Sequence, residues 1–197
     1  KSTAIKLLSN QEKINLGKDA SEEEIKKFFQ GTEILKYLQE LSTKKIAYKP
    51  QNLSLLSQDI PVLELLKQRG TEKEIKKLAK ELNILPILNN KMNKLSGGEL
   101  QRVAILASTL KESDVYFFDE PLAYLDIGER LRISDYIKRK TKNKTGIIVE
   151  HDLLILDYLT DQLNIFFGGQ GAFGVVSQIR ASKNGVNSYL SGFLKEE

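Results

Sequence analysis

Apolar residues along this chain keep two kinds of spacing, and the alternation between them is the first guide to the fold. Ser2 to Ser9 clusters Ala4, Ile5, Leu7 and Leu8 in helical fashion, and Ile25 to Leu41 repeats the pattern with a break at Gly31-Thr32. Lys45 to Lys49 reads as a short strand stopped by Pro50, with Gln51 opening a polar loop. From Ile60 to Leu88 apolar residues recur at helical intervals with Lys and Glu between them, which predicts two or three short helices around Gly70. A strongly apolar helix follows up to Leu110. Val115 to Phe118 and Ile147 to Val149 are continuous apolar runs of strand length. Strands that alternate with helices argue for a parallel sheet covered on both faces, an α/β fold. The tail from Gly168 to Gly185 is glycine-rich with strand-like pieces, and a helix from Gly185 to Leu194 is expected to close the chain.

Composition narrows this picture without redirecting it. A chain of 197 residues fits one domain, or one domain with a small insertion, and is long enough for a substantial core. Its 28% charged residues are those of an ordinary globular protein, and no apolar run is long enough to cross a bilayer. There is no cysteine, so disulfides and thiolate metal sites are excluded, and a cytoplasmic, reducing setting is the simplest assumption. The mild excess of +4 is concentrated in runs such as 138–144. That run has two readings, a solvated helix end favoured by the helix dipole and a contact with nucleic acid. The chain opens on Lys1 rather than Met, which suggests that something precedes it.

Three motifs carry chemistry. In Leu95-Ser-Gly-Gly-Glu-Leu-Gln-Arg102, Ser96 and Glu99 have the spacing of a capping box, and Gly97 and Gly98 leave the first amides of the helix uncovered. Uncovered amides, a serine hydroxyl and the positive helix end together suit a phosphate. In Val115-Tyr-Phe-Phe-Asp-Glu120, two carboxylates follow an apolar strand, where parallel sheets bind ligands. Asp119 is placed to hold magnesium, and Glu120 to polarise an attacking water. In Ile147-Ile-Val-Glu-His-Asp152, the chain's single histidine, His151, leaves the same sheet edge. Lys1-Ser2-Thr3 before an apolar helix fits the end of a phosphate-binding loop, with Lys1 reaching the phosphates and Ser2 ligating magnesium.

The octapeptide matches the signature of ATP-binding-cassette ATPases, apart from Glu99 where many members have Gln. The resemblance goes further, to subfamily E, the ribosome-recycling factors also called RNase L inhibitors, and to their first nucleotide-binding domain. Residues 15–18, residues 29–33 with Tyr37-Leu38, Lys49-Pro-Gln51, Tyr124-Leu-Asp-Ile127, residues 149–153 and 156–161, 167–176 and 185–187 carry it. Leu122-Ala123 departs from the family, which usually has two serines there. The resemblance implies a P-loop NTPase fold, a mostly parallel core from residues 1–59 and 111–170 with an inserted helical subdomain at 60–110, then a segment 171–197 leading to a hinge. It implies ATP and magnesium as ligands, with Lys1, Ser2, Thr3, Ser96, Gly97, Gly98, Gln101 and Asp126 at the nucleotide, Ser2, Gln51 and Asp119 at the metal, and Glu120, His151 and Gln51 in hydrolysis.

In that family each nucleotide lies between two cassettes, so Ser96, Gly97 and Gly98 serve the partner's ATP. The implied partners are a second nucleotide-binding domain, the small ribosomal subunit with its RNA, and a release factor or its surveillance relative, with no membrane. Iron–sulfur clusters would belong to a domain absent from this chain. Two alternatives compete: the nucleotide-binding subunit of a membrane transporter, and a non-hydrolysing module bound to the ribosome.

Overall fold

A computed structural model describes residues 2–17, 19–169 and 173–192 of the chain. Lys1, expected at the phosphates, lies outside the described residues, as do the last residues of the expected closing helix. At the centre is a three-stranded, all-parallel sheet in the order β1 (Ile46–Lys49), β2 (Val115–Asp119), β3 (Thr145–Val149). Its register pairs Lys49 with Phe118 and Asp119 with Val149, so the strands end at one edge. Gln51, Glu120 and His151 therefore all leave that edge within two residues of a strand end.

β2 runs through the middle of the core. Tyr116, Phe117 and Phe118 are fully buried, and Tyr116 stacks on Phe118 at 6.3 Å, since alternate side chains of a strand share a face. The helices that cover the sheet follow from their caps. α6 (Gly97–Thr109) starts in the expected capping box: Ser96 Oγ accepts from the Glu99 amide at 3.3 Å, and Glu99 Oε2 accepts from the Ser96 amide at 2.8 Å. Asp126 caps α7 (Ile127–Lys140), accepting from the Glu129 amide at 2.9 Å, and Lys138, Arg139 and Lys140 sit in its last turn, where the dipole favours cations.

Before the sheet come α1 (Ser2–Leu8), α2 (Glu22–Phe28) and α3 (Glu33–Leu41), the last two separated at the expected Gly31-Thr32 break. Between β1 and β2 lie α4 (Val62–Lys67) and α5 (Glu72–Glu81), on either side of Gly70, with short 3-10 turns at 85–87 and 92–94. Ile75, Ala79 and Leu82 of this segment share one buried cluster with Ile105, Tyr116 and Ile137. Apolar burial is thus continuous from the helical segment into the sheet layer.

After β3, α8 (Leu153–Leu159) is capped by Asp152 and tied to α7 by the Arg130–Asp152 ion pair at 2.9 Å. Two small antiparallel pairs follow, β4 (Gln162–Leu163) with β7 (Arg180–Ala181), and β5 (Phe166–Gly169) with β6 (Phe173–Val176). The terminal helix α9 begins at Ser182, earlier than its sequence suggested, and runs to Leu190. Gly185 lies inside it and packs on Leu163, where a β-carbon would come within 2.3 Å of Cδ1. The glycine that reads as a helix boundary is a packing residue.

Candidate functional site

The predicted residues form two groups. The first gathers at the common strand edge. Ser2 Oγ, at the start of α1, is 3.2 Å from Gln51 Oε1 and 3.5 Å from Asp119 Oδ1. Thr3, next on α1, is exposed. Asp119 is buried, and its Oδ2 has no hydrogen-bond partner among the described residues. Burial pushes its carboxyl above the usual range, against a lowering by the Ser2 hydroxyl. A buried carboxylate oxygen with no donor calls for a cation. Oxygens from a serine, a glutamine and an aspartate suit magnesium, a hard ion that takes oxygen ligands and keeps several waters. Among the described residues no cluster of three or more His, Cys, Asp or Glu competes as a metal site.

Beside this group, His151 Nε2 lies 3.0 Å from Glu120 Oε1. Glu120 occupies the left-handed region at φ 47°, uncommon for a residue with a side chain. That bend turns its carboxylate out of the strand line. Glu150, one residue before His151, accepts from the His151 amide at 2.9 Å through Oε1 and from the Leu122 amide at 3.3 Å through Oε2. The loops carrying Glu120 and His151 are therefore strapped to each other as well as to the sheet. Leu122, at the departure from the family pattern, is 1% exposed and joins the core.

The second group surrounds the start of α6. Ser96, Gly97, Gly98, Tyr124 and Asp126 line an open concavity of about 400 Å3. Arg102 and Glu129 also line it; both largely buried, they pair at 3.3 Å and join α6 to α7. The two glycines have a further reason beyond exposing amides. A β-carbon on Gly97 would meet the Tyr124 ring at 3.3 Å, and one on Gly98 would meet the Tyr124 carbonyl oxygen at 2.9 Å. The Tyr124 loop, itself at φ 63°, is seated directly on the helix start.

Gln101 corrects the sequence expectation. Expected at the nucleotide, it is 1% exposed, and its Nε2 donates to the Glu120 carbonyl at 2.7 Å. Its side chain points inward to the turn after β2, while Ser96 and Gly97 remain exposed.

Sequence reasoning gave Lys49 no role, reading it as the end of a strand before Pro50 and as part of the family resemblance. The side chain is completely buried, and its ammonium donates to the carbonyls of Asp119 at 2.9 Å and Glu120 at 3.1 Å. Burial lowers its pKa to about 8, against the opposing pull of the Asp119, Glu150 and Glu120 carboxylates. A signal existed: in a four-residue strand, period two puts Lys49 on the same side as the apolar Ala47, and both are buried.

A family model, ABC transporter, matches residues 1–123, more than half of the chain. The chain belongs to the ATP-binding-cassette family. Over its whole length this cassette is 36% identical to ABC transporter E family member 1 of Arabidopsis thaliana and 39% identical to translation initiation factor RLI1 of Saccharomyces cerevisiae, covering 34% of each. The solved structure of an archaeal ribosome recycling factor, in complex with a ribosomal stalk protein, matches all of the cassette with a TM-score of 0.90 at 38% identity, over 39% of that chain. The resemblance to subfamily E thus extends over the entire chain, which spans about a third of the length of the curated relatives it matches. Among the described residues no helix is long and apolar enough to cross a membrane.

Proposed function

We propose that this cassette binds ATP with magnesium and hydrolyses it in a sandwich with a second cassette, as the first nucleotide-binding domain of a cytoplasmic ribosome-recycling factor. The single observation that supports hydrolysis best is the convergence of Ser2, Gln51, Asp119, Glu120 and His151 at one sheet edge from four separate segments. In this reading Lys1, Ser2 and Thr3 contact the phosphates of the cassette's own ATP. Ser2, Gln51 and Asp119 hold magnesium, which when bound neutralises charge on the β and γ phosphate oxygens.

Glu120 accepts the proton of the attacking water or orients it, and His151, hydrogen-bonded to Glu120, contacts the terminal phosphate in this reading. Ser96, Gly97 and Gly98 present a capped, open helix start to the second cassette's ATP, and Asp126 lies on the same concave face. Residues 1–59 and 111–170 are assigned to the core, 60–110 to the helical subdomain and 171–197 to a segment toward a hinge. No residue here is assigned to an iron–sulfur cluster, since the chain has no cysteine and such clusters are held chiefly by cysteine thiolates.

Full-length likeness to a translation initiation factor and a ribosome recycling factor supports the ribosomal setting. Its partners are then the small subunit and its RNA, met through phosphate contacts, and a release factor or surveillance relative. The test has two arms. Glu120→Gln in the two-cassette protein should abolish hydrolysis at this site and retain ATP binding; normal turnover there removes Glu120 from its role. Co-sedimentation with small ribosomal subunits should require ATP, and partition into membranes instead would favour a transporter subunit.

A further inference from the structure

Lys49 is fully buried, which is rare for lysine unless its charge is answered. The answer comes from main-chain oxygens: its ammonium donates to the carbonyls of Asp119 and Glu120, the two residues whose carboxylates serve the proposed chemistry. Those carbonyls flank a disfavoured turn. Glu120 stands at φ 47°, and a non-glycine residue stays there only where its surroundings over-determine it. Here they do. The Glu120 amide donates to the Val149 carbonyl at 2.9 Å, and its own carbonyl accepts from both Gln101 at 2.7 Å and Lys49 at 3.1 Å. Every main-chain polar group of Glu120 is bonded, from three different elements, while its side chain is left to meet His151.

We propose that Lys49 is a positioning residue for hydrolysis: with Gln101 it clamps the carbonyls of Asp119 and Glu120, so that the turn aims the Glu120 carboxylate at the water and at His151. The proposal rests on the reading of Glu120 as the hydrolytic carboxylate. A space-filling role for the lysine stem makes a different prediction, because methionine has similar length and no donor.

The test compares Lys49→Met and Gln101→Met with the parent. In the two-cassette protein each variant should lower kcat at least tenfold, since a displacement of about an ångström costs on the order of a hundredfold. KM and the dissociation constant of a fluorescent ATP analogue should stay within about twofold, the pattern expected when a transition-state interaction alone is lost. Independently of turnover, this chain has a single histidine, so its imidazole NMR signals report the Glu120–His151 contact directly. Both variants should shift those signals, and Ser134→Ala, a buried change on α7, should not.

An unchanged kcat together with unchanged imidazole signals overturns the clamp. So does a loss of nucleotide affinity in proportion to a fall in Tm, which is the mark of a packing residue. Should Lys49→Met fail to fold, Gln101→Met, which strands no buried charge, decides by the same criteria. If the parent itself hydrolyses no ATP the proposed function fails, while the histidine signals still judge the clamp.

Discussion

The contact between Gly98 and the Tyr124 loop makes a quantitative prediction that separates main-chain from side-chain crowding. In Gly98→Ala the new β-carbon would lie 2.9 Å from the Tyr124 carbonyl oxygen, about 0.5 Å inside an ordinary contact of 3.4 Å. Overpacking of this kind costs about 1–3 kcal/mol. Removing a helical glycine returns about 0.5–1 kcal/mol. The net effect is a destabilisation of about 1 kcal/mol, a fall in Tm of about 2–4 °C for a domain of this size. In Gly97→Ala the nearest atoms, at 3.3 Å, belong to the Tyr124 ring, and that side chain is 78% exposed and free to swing away. There the helical gain prevails, and Tm should stay level or rise by about 1–2 °C.

Thermal unfolding of both variants, alone and in a Tyr124→Ala background, checks the reasoning. Removing the ring leaves the Gly98→Ala penalty in place, because the obstructing oxygen is main chain. Equal stability of the two alanine variants, or disappearance of the Gly98→Ala penalty when the ring is removed, would refute it.

Other expectations follow from the same geometry. Tyr136→Phe breaks the buried 2.7 Å bond to Thr109 and should cost about 1 kcal/mol in urea unfolding at neutral pH. Burial pushes Tyr136 up from 10.0 to about 12, so its protonated form is favoured by folding; the associated stability is intact below about pH 10 and is lost as pH rises toward 12. The Phe variant lacks that loss, worth up to about 3 kcal/mol by linkage, so it should overtake the parent at high pH. Asp126→Ala removes the cap of α7 and should lower Tm by about 2–4 °C, while Asp126→Asn should restore it, since both caps accept an amide bond. Ile105→Ala, at a fully buried position of α6, should cost about 2–5 kcal/mol in denaturant unfolding.

Much of this architecture is legible in the residues because local rules and tertiary placement agree. The break at Gly31-Thr32 and the capping box at Ser96 are set by interactions within a few residues, the three strands announce themselves as short apolar runs, and each stands where the pattern puts it. The shared edge of Glu120 and His151 follows from apolar strands ending together, Gln51 joins them in sequence only through the family resemblance, and the parallel register supplies the reason for all three. What stayed hidden depends on partners distant in the chain. Lys49 bonds residues 70 and 71 positions away, and Gln101 turns inward to a carbonyl 19 positions away. A glutamine beside a phosphate-binding motif reads equally well as ligand or as brace; only the burial of its side chain separates the two. Gly185 misled for the same reason, since glycine marks chain reversals and tight helix contacts alike.

One consequence lies in α6 itself. Its first turn faces outward, toward the nucleotide of a facing lobe in the proposed pairing, and one turn on it is fastened through Gln101 to the carbonyl of Glu120, the residue proposed to serve the cassette's own nucleotide. A rigid rod held in this way relays a push at its tip into its anchored shaft. In the proposed pairing, closure around one triphosphate would be felt at the other without any long chain of intermediaries.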